Sequence, residues 1–150
     1  MSEKNPIRLY VTHAWSDNED YLRVFEFLES ARNFYYRNCG ATDRRPGDDV
    51  EAQREVLRGQ IRPAEVVIAT ASLLRSHSSL LVFQMTFAQA SHKPVLLVPA
   101  FGVQAPIPKG VRDLATETVD WDERGLVDAV RRLARGEQSG RWDVVEFKLD

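Results

Sequence analysis

The chain has 150 residues, 43% of them hydrophobic, with 20 basic and 22 acidic side chains for a formal net charge of −2. That length holds one domain with one contiguous core and excludes two full domains, and charges spread along the whole chain exclude the basic stripe of a nucleic-acid binder. A single cysteine, Cys39, fits a reducing compartment and argues against a structural zinc site, while the absence of a signal-peptide pattern or a bilayer-length apolar run predicts a soluble, cytoplasmic protein with no membrane partner.

Residues 7–12 alternate and are rich in β-formers, and Ser16 followed by Glu19 reads as a capping box that starts a helix. Tyr21, Val24, Phe25, Leu28 and Ala31 recur at helical spacing, so this helix carries one apolar stripe and ends near Asn33. Residues 34–38 form a short aromatic strand, and residues 40–49 a polar, mobile loop holding Pro46 and Gly47. A second amphipathic helix runs over 50–61 until Pro63, which cannot supply the next helical N–H. Residues 65–71 and 94–99 are nearly continuous apolar runs, the pattern of parallel strands buried on both faces. Between them Ser76 to Ser79 supply caps for a third helix through about Ser91, apolar on nearly every face and therefore buried. Residues 111–114 form a helical turn, 117–119 an edge strand and 123–135 the last helix, with Trp121 anchoring its entry and Asp120 or Asp122 capping it. The alternation predicts an α/β domain over residues 1–135, a doubly wound, mostly parallel five-stranded sheet with helices on both faces. Residues 136–150 form a tail, either an extra strand or an interaction arm.

Ligands of open parallel sheets bind beyond the carboxyl ends of the strands. The segments to inspect are therefore 12–15, 38–48, 71–79 and 99–108. None carries a GxGxxG, Walker, GxSxG or HExxH motif, and the first has neither the acidic triad of a receiver domain nor the phosphate loop of a flavin protein. His13 and Trp15 are placed either to contact a nucleotide or to close the strand end. Asn38 either orients ribose or makes a turn. Arg44 and Arg45 either meet a pyrophosphate or sit in a solvated loop. Ser76, His77 and Ser78 either favour an anion or cap a helix.

Tyr10 to Trp15, Asp20-Tyr21, Phe34-Tyr35 with Asn38, the run from Leu57 to Ile68, Ile107-Pro108, Val119 and Trp121 together resemble the bacterial TIR-like domains of the Thoeris antiphage system, over residues 7–133. The resemblance implies a flavodoxin-like TIR fold that cleaves the nicotinamide–ribose bond of NAD⁺ without a metal. It also implies self-association, a phage component as trigger, and an ADP-ribose-type messenger read by a nucleotide-sensing effector. It places Gln84 where the family has its catalytic glutamate, with Thr12, His13, Ala14, Trp15, Asn38, Arg45 and Ser79 as candidate NAD⁺-binding residues. Bond cleavage builds positive charge on the ribose, which a carboxylate stabilises and an amide does not; the loss is on the order of 3 kcal/mol, about 10²-fold in rate. The chain is then a natural pseudoenzyme, an engineered inactive form, or, alternatively, a non-catalytic TIR scaffold. Without the resemblance, Gln84 reads as a core glutamine satisfied by backbone in a low-dielectric setting.

Overall fold

The computed structural model describes residues 1–136; of the tail expected over 136–150, all but Gly136 lies outside the described residues. Five strands, β1 (Ile7–Val11), β2 (Tyr36–Asn38), β3 (Val66–Thr70), β4 (Val95–Val98) and β5 (Glu117–Thr118), form one sheet in the order β2-β1-β3-β4-β5, every pairing parallel. This is the flavodoxin-like order of a doubly wound α/β fold, as the alternation predicted, and its switch point lies between β1 and β3.

The helices are α1 (Glu19–Glu29), α2 (Val50–Ile61), α3 (Leu73–Ala90), α4 (Lys109–Arg112) and α5 (Glu123–Arg135). Side chains alternate across the strands and divide the core into two halves. Ile7, Leu9, Val11, Val66, Ile68, Leu96 and Val98 pack with α1 and α5. Tyr10, Val67, Ala69, Val95 and Leu97 pack with α2 and α3. Central strands buried on both faces are the reason residues 66–70 and 95–98 read as unbroken apolar runs.

Four expectations are corrected. The first helix is capped by Asn18, whose extended backbone lets its Oδ1 accept from Tyr21 N at 2.8 Å, rather than by a Ser16–Glu19 box. That helix stops at Glu29, because Ser30 turns its hydroxyl onto Phe27 O and Asn33 is left-handed at φ 56. The third helix begins at Leu73, before the serines expected to cap it, and kinks at His77. It is also not buried all round. Leu81, Gln84, Met85 and Ala88 face the sheet, whereas Val82 is 36% exposed and Phe83 and Phe87 lie under Arg54, Arg58 and Arg62.

The second and last helices keep the bounds read from the sequence. Asp122 caps α5 with Oδ2 2.7 Å from Gly125 N. A Cβ on Gly125 would come 2.9 Å from that oxygen, so glycine leaves the cap room to close. Asn18→Ala is expected to cost about 1 kcal/mol in urea unfolding, since it orphans the Tyr21 amide at the mouth of the cleft described below. No helix among the described residues is long and apolar enough to cross a membrane.

Candidate functional site

A cleft of about 770 Å³ opens beyond the carboxyl ends of β3 and β4. Three segments build it: the first turn of α1 with Asn18, Glu19 and Asp20; the β3–α3 connection, residues 71–78; and the loop after β4, residues 100–108. Two of these are segments that the strand-end rule singled out, and the third follows β1, so the cleft sits beside the switch point. Leu73, Leu74, Phe101, Val103 and Ile107 supply apolar surface, and Ser72, Arg75, Ser76 and Ser78 supply polar groups.

The loop after β4 is fixed from α1. Asp20, only 8% exposed, accepts from Phe101 N at 3.1 Å and from Arg23 at 2.6 Å. The Arg23 guanidinium lies 3.8 Å from the centre of the Phe101 ring, whose other neighbour is Trp121, edge-on at 5.7 Å. Trp121 is anchored through Nε1 to Pro99 O at 2.7 Å. The carboxylate of Asp20 is therefore spent on holding a wall. Glu19 and Arg75 also line the cleft, and neither has an ion-pair partner among the described residues. The Ser72 hydroxyl is buried with no hydrogen-bond partner among the described residues.

Gln84 stands elsewhere. It is fully buried on the inner face of α3, and both ends of its amide are used. Its Oε1 accepts from Tyr10 Oη at 2.6 Å and from His13 N at 3.1 Å, while its Nε2 donates to His13 O at 2.9 Å and Leu80 O at 3.0 Å. The backbone partners fix which end is which, because a reversed amide would set N–H against N–H. The glutamine thus ties the end of β1 to α3. Burial also holds the Tyr10 phenol well above its usual range, so it stays a donor.

The other residues singled out from the sequence fall into separate groups. Thr12 is buried and accepts from Thr70 N at 3.0 Å, which staples β1 to β3. His13 Nδ1 accepts from Trp15 N, so the ring proton sits on Nε2 and is donated to Gln60 Oε1 at 3.0 Å. Burial lowers the His13 pKa, which keeps this neutral form. Gln60 also exchanges bonds with Ala41 N and O, so His13 anchors the start of the 40–49 loop. Ala14 packs on the α2–α3 half of the core. Trp15 adopts φ 65 and stands edge-on to His13 with its Nε1 buried and without a hydrogen-bond partner among the described residues. Asn38 makes a turn, accepting from Gly40 N at 2.9 Å, and donates to Tyr21 Oη. Arg45 pairs with Asp48 in an exposed loop, where Arg44 pairs with Asp43. Ser79 lines a separate groove of about 430 Å³ with Arg54, Val82 and Phe83.

The structure therefore gathers Thr12, His13, Ala14, Trp15 and Gln84 around the end of β1 and leaves Asn38, Arg45 and Ser79 apart; none of these lines the cleft. Of its lining residues, Ser76 and Ser78 were singled out in the sequence and the segments 71–79 and 99–108 were marked for inspection, whereas Leu73, Leu74, Phe101 and Val103 were not named. Among the described residues no group of three or more His, Cys, Asp or Glu side chains is placed to hold a metal ion.

No family model matches the sequence, and no curated protein sequence matches it. Among solved structures, the chain is similar to a 3-dehydroquinate dehydratase-like protein from Bifidobacterium longum, at 14% identity and a TM-score of 0.44, covering 89% of this chain and 96% of that one. It is also similar to a de novo designed Rossmann 2x3 fold protein, at 11% identity and a TM-score of 0.48, covering 91% and 98%.

Proposed function

We propose that this chain is a TIR-like cytoplasmic domain that holds NAD⁺ or an ADP-ribose nucleotide in the strand-end cleft and does not cleave it. The observation that carries the binding half is the cleft itself. Its volume lies within the range of about 300–1,000 Å³ typical of small-ligand sites, and its lining combines apolar side chains with serines and one arginine that has no ion-pair partner among the described residues. Phe101, Leu74 and Ile107 offer surface for a planar ring. Arg75 offers charge-assisted bonds to phosphate, and the Ser72, Ser76 and Ser78 hydroxyls suit ribose.

The second half follows from Gln84. A residue with no net charge and no free lone pair or N–H directed at the cleft supplies nothing to an oxocarbenium-like transition state. The sign of the reading is retention rather than turnover. In antiphage signalling of the kind the resemblance implies, such a domain sequesters or senses the nucleotide, and the trigger and effector act around it.

Calorimetry with NAD⁺ and with ADP-ribose tests this directly. Binding of at least one is expected, weakened about tenfold by Phe101→Ala through loss of the ring that Arg23 and Trp121 hold in place. Release of nicotinamide by the unchanged chain, or no heat from either nucleotide at millimolar concentration, overturns the proposal. The second reading, a scaffold acting through assembly, is favoured by the outer face of α3. There Val82 is exposed and Phe83 and Phe87 stack 6.4 Å apart beneath Arg54, Arg58 and Arg62. Concentration-dependent sedimentation together with absent nucleotide binding selects it.

A further inference from the structure

We propose that His13 is a proton-sensitive latch: its neutral ring holds Trp15 in a strained conformation, and a protonated ring releases the segment that leads from β1 to the cleft. The latch is a short chain of bonds at the carboxyl end of β1. His13 is fully buried, its Nδ1 accepts from Trp15 N at 3.1 Å, and its Nε2 donates to Gln60 Oε1 at 3.0 Å. From α3, Gln84 grips the backbone of the same residue, accepting from His13 N and donating to His13 O. The Nε2 proton is present in either charge state of the ring, so the bond that protonation breaks is the one at Nδ1.

That bond restrains a costly arrangement. Trp15 is left-handed at φ 65, a region that a bulky side chain rarely occupies without outside support. Its Nε1 is buried without a hydrogen-bond partner among the described residues, a second cost. The indole stands edge-on to the imidazole at 5.0 Å, so the two rings move together or part. An imidazolium carries N–H at both nitrogens, and its Nδ1 proton points at the Trp15 amide proton. The acceptor is then gone, and turning Trp15 out relieves the backbone and brings its indole N–H to water.

The groups around the ring set where it takes the proton. Burial opposes protonation, and the Gln60 bond and the Asp17 charge favour it; the balance lies on the acid side of 6.5, the ordinary histidine value. The rings of Tyr10 from β1 and Tyr21 from α1 stand 5.7 and 6.2 Å away, and burial raises both phenols, so they stay neutral. Gln60 from α2 and Gln84 from α3 carry no charge. Among the described residues, the charge that acts on the ring is therefore Asp17, which is exposed and also accepts from Thr42 Oγ1. A lowered folded value means that the closed latch is favoured above pH 6.5 and lost as pH falls below it.

Trp15 opens the stretch that delivers Asn18, Glu19 and Asp20 to the cleft, and Asp20 holds the opposite loop through Phe101 N. Release of Trp15 slackens this wall, so acid weakens retention of a ligand. That consequence rests on the cleft being a nucleotide site; the latch itself does not.

An NMR titration of the full chain from pH 8 to pH 4.5 decides the matter. The His13 ring and the Trp15 amide are expected to shift with one shared midpoint below 6.5. Across it, Trp15 amide exchange, corrected for its intrinsic pH dependence, should speed about tenfold or more while β3 amides keep their protection. Asp17→Asn, a surface change, should move both midpoints to lower pH together. His13→Asn, whose Oδ1 replaces the Nδ1 acceptor and does not titrate, should leave Trp15 insensitive to pH. A His13 ring that titrates without moving Trp15, a Trp15 change with its own midpoint, or no His13 titration in this range overturns the proposal. Calorimetry with ADP-ribose reads the consequence: binding about threefold or more weaker at pH 5.5 than at pH 7.5, a loss absent from His13→Asn. Equal affinity at the two pH values overturns the coupling to the cleft. Absence of binding at both overturns the nucleotide reading instead, and the titration still decides the latch.

Discussion

Gln84→Glu is expected to destabilise the protein by about 3–5 kcal/mol near neutral pH and to release no nicotinamide from NAD⁺. The substitution puts a carboxylate oxygen where Nε2 now donates, 2.9 Å from His13 O and 3.0 Å from Leu80 O, at a site with no solvent access. Removing a donor from buried acceptors while burying an unpaired charge is among the costlier single changes. A carboxylic acid can still donate to one of the two carbonyls, so the glutamate would be driven to its protonated form and its pKa raised in the folded state. A raised folded pKa means that the variant loses stability relative to the unchanged chain as pH rises, and recovers it toward the ordinary glutamate value of about 4.3. Urea unfolding of both proteins from pH 5 to pH 8 should show the gap widening with pH. A gap that stays flat, or nicotinamide release by the variant, would show that position 84 opens to substrate after all. The result bears on the origin of the glutamine: an amide that uses both ends is matched to its site, whereas a carboxylate placed there is not.

The second large effect lies at the opposite end of the sheet. Glu65 receives Arg135 at both oxygens, 2.7 and 2.8 Å, together with Arg8 N at 2.9 Å, and the Glu65 and Arg135 side chains are each only 16% exposed. Arg135 continues to Asn5 O and Pro6 O, and Arg8 to Pro63 O at 2.8 Å. One cluster therefore joins the chain before β1, the start of β3 and the last residue of α5. The Arg135 hydrogen bonds, ahead of the opposing effect of burial, hold the Glu65 carboxyl down at about 2, against an ordinary value of 4.5. A depressed folded pKa gives stability that is present in full above pH 4.5 and lost as pH falls toward 2. After allowance for screening of a partly solvated pair, that contribution is about 2 kcal/mol. Glu65→Gln should remove about this much at pH 7 and flatten the acid limb of the stability curve below pH 4.5. An unchanged acid limb would mean that other carboxylates dominate acid unfolding.

These two sites divide what could be read from the chain in different ways. Gln84 was legible as a buried polar residue because its neighbours Leu81, Met85 and Ala88 are apolar at helical spacing, a local pattern. Which groups would satisfy it was not legible, because Tyr10 and His13 are more than 70 residues away in sequence. Nothing in the sequence singled out Glu65 or Arg135, and only the packing of α5 across the sheet brings them together.

The sequence by itself determined the order of the elements, the parallel sheet, and the bounds of the second and last helices, since these depend on period, proline and capping within short windows. It pointed also to the strand ends as the segments to inspect for a cleft. The tertiary structure decided which strand ends build the cleft. The segments after β3 and β4 form it with the first turn of α1, while His13, Thr12 and Gln84 turn inward to knit β1 to its neighbours. The physical reason is that a side chain's direction at the end of a strand is set by what packs above it. For residues 12–15 that is α3 and Gln60, contributed by distant parts of the chain.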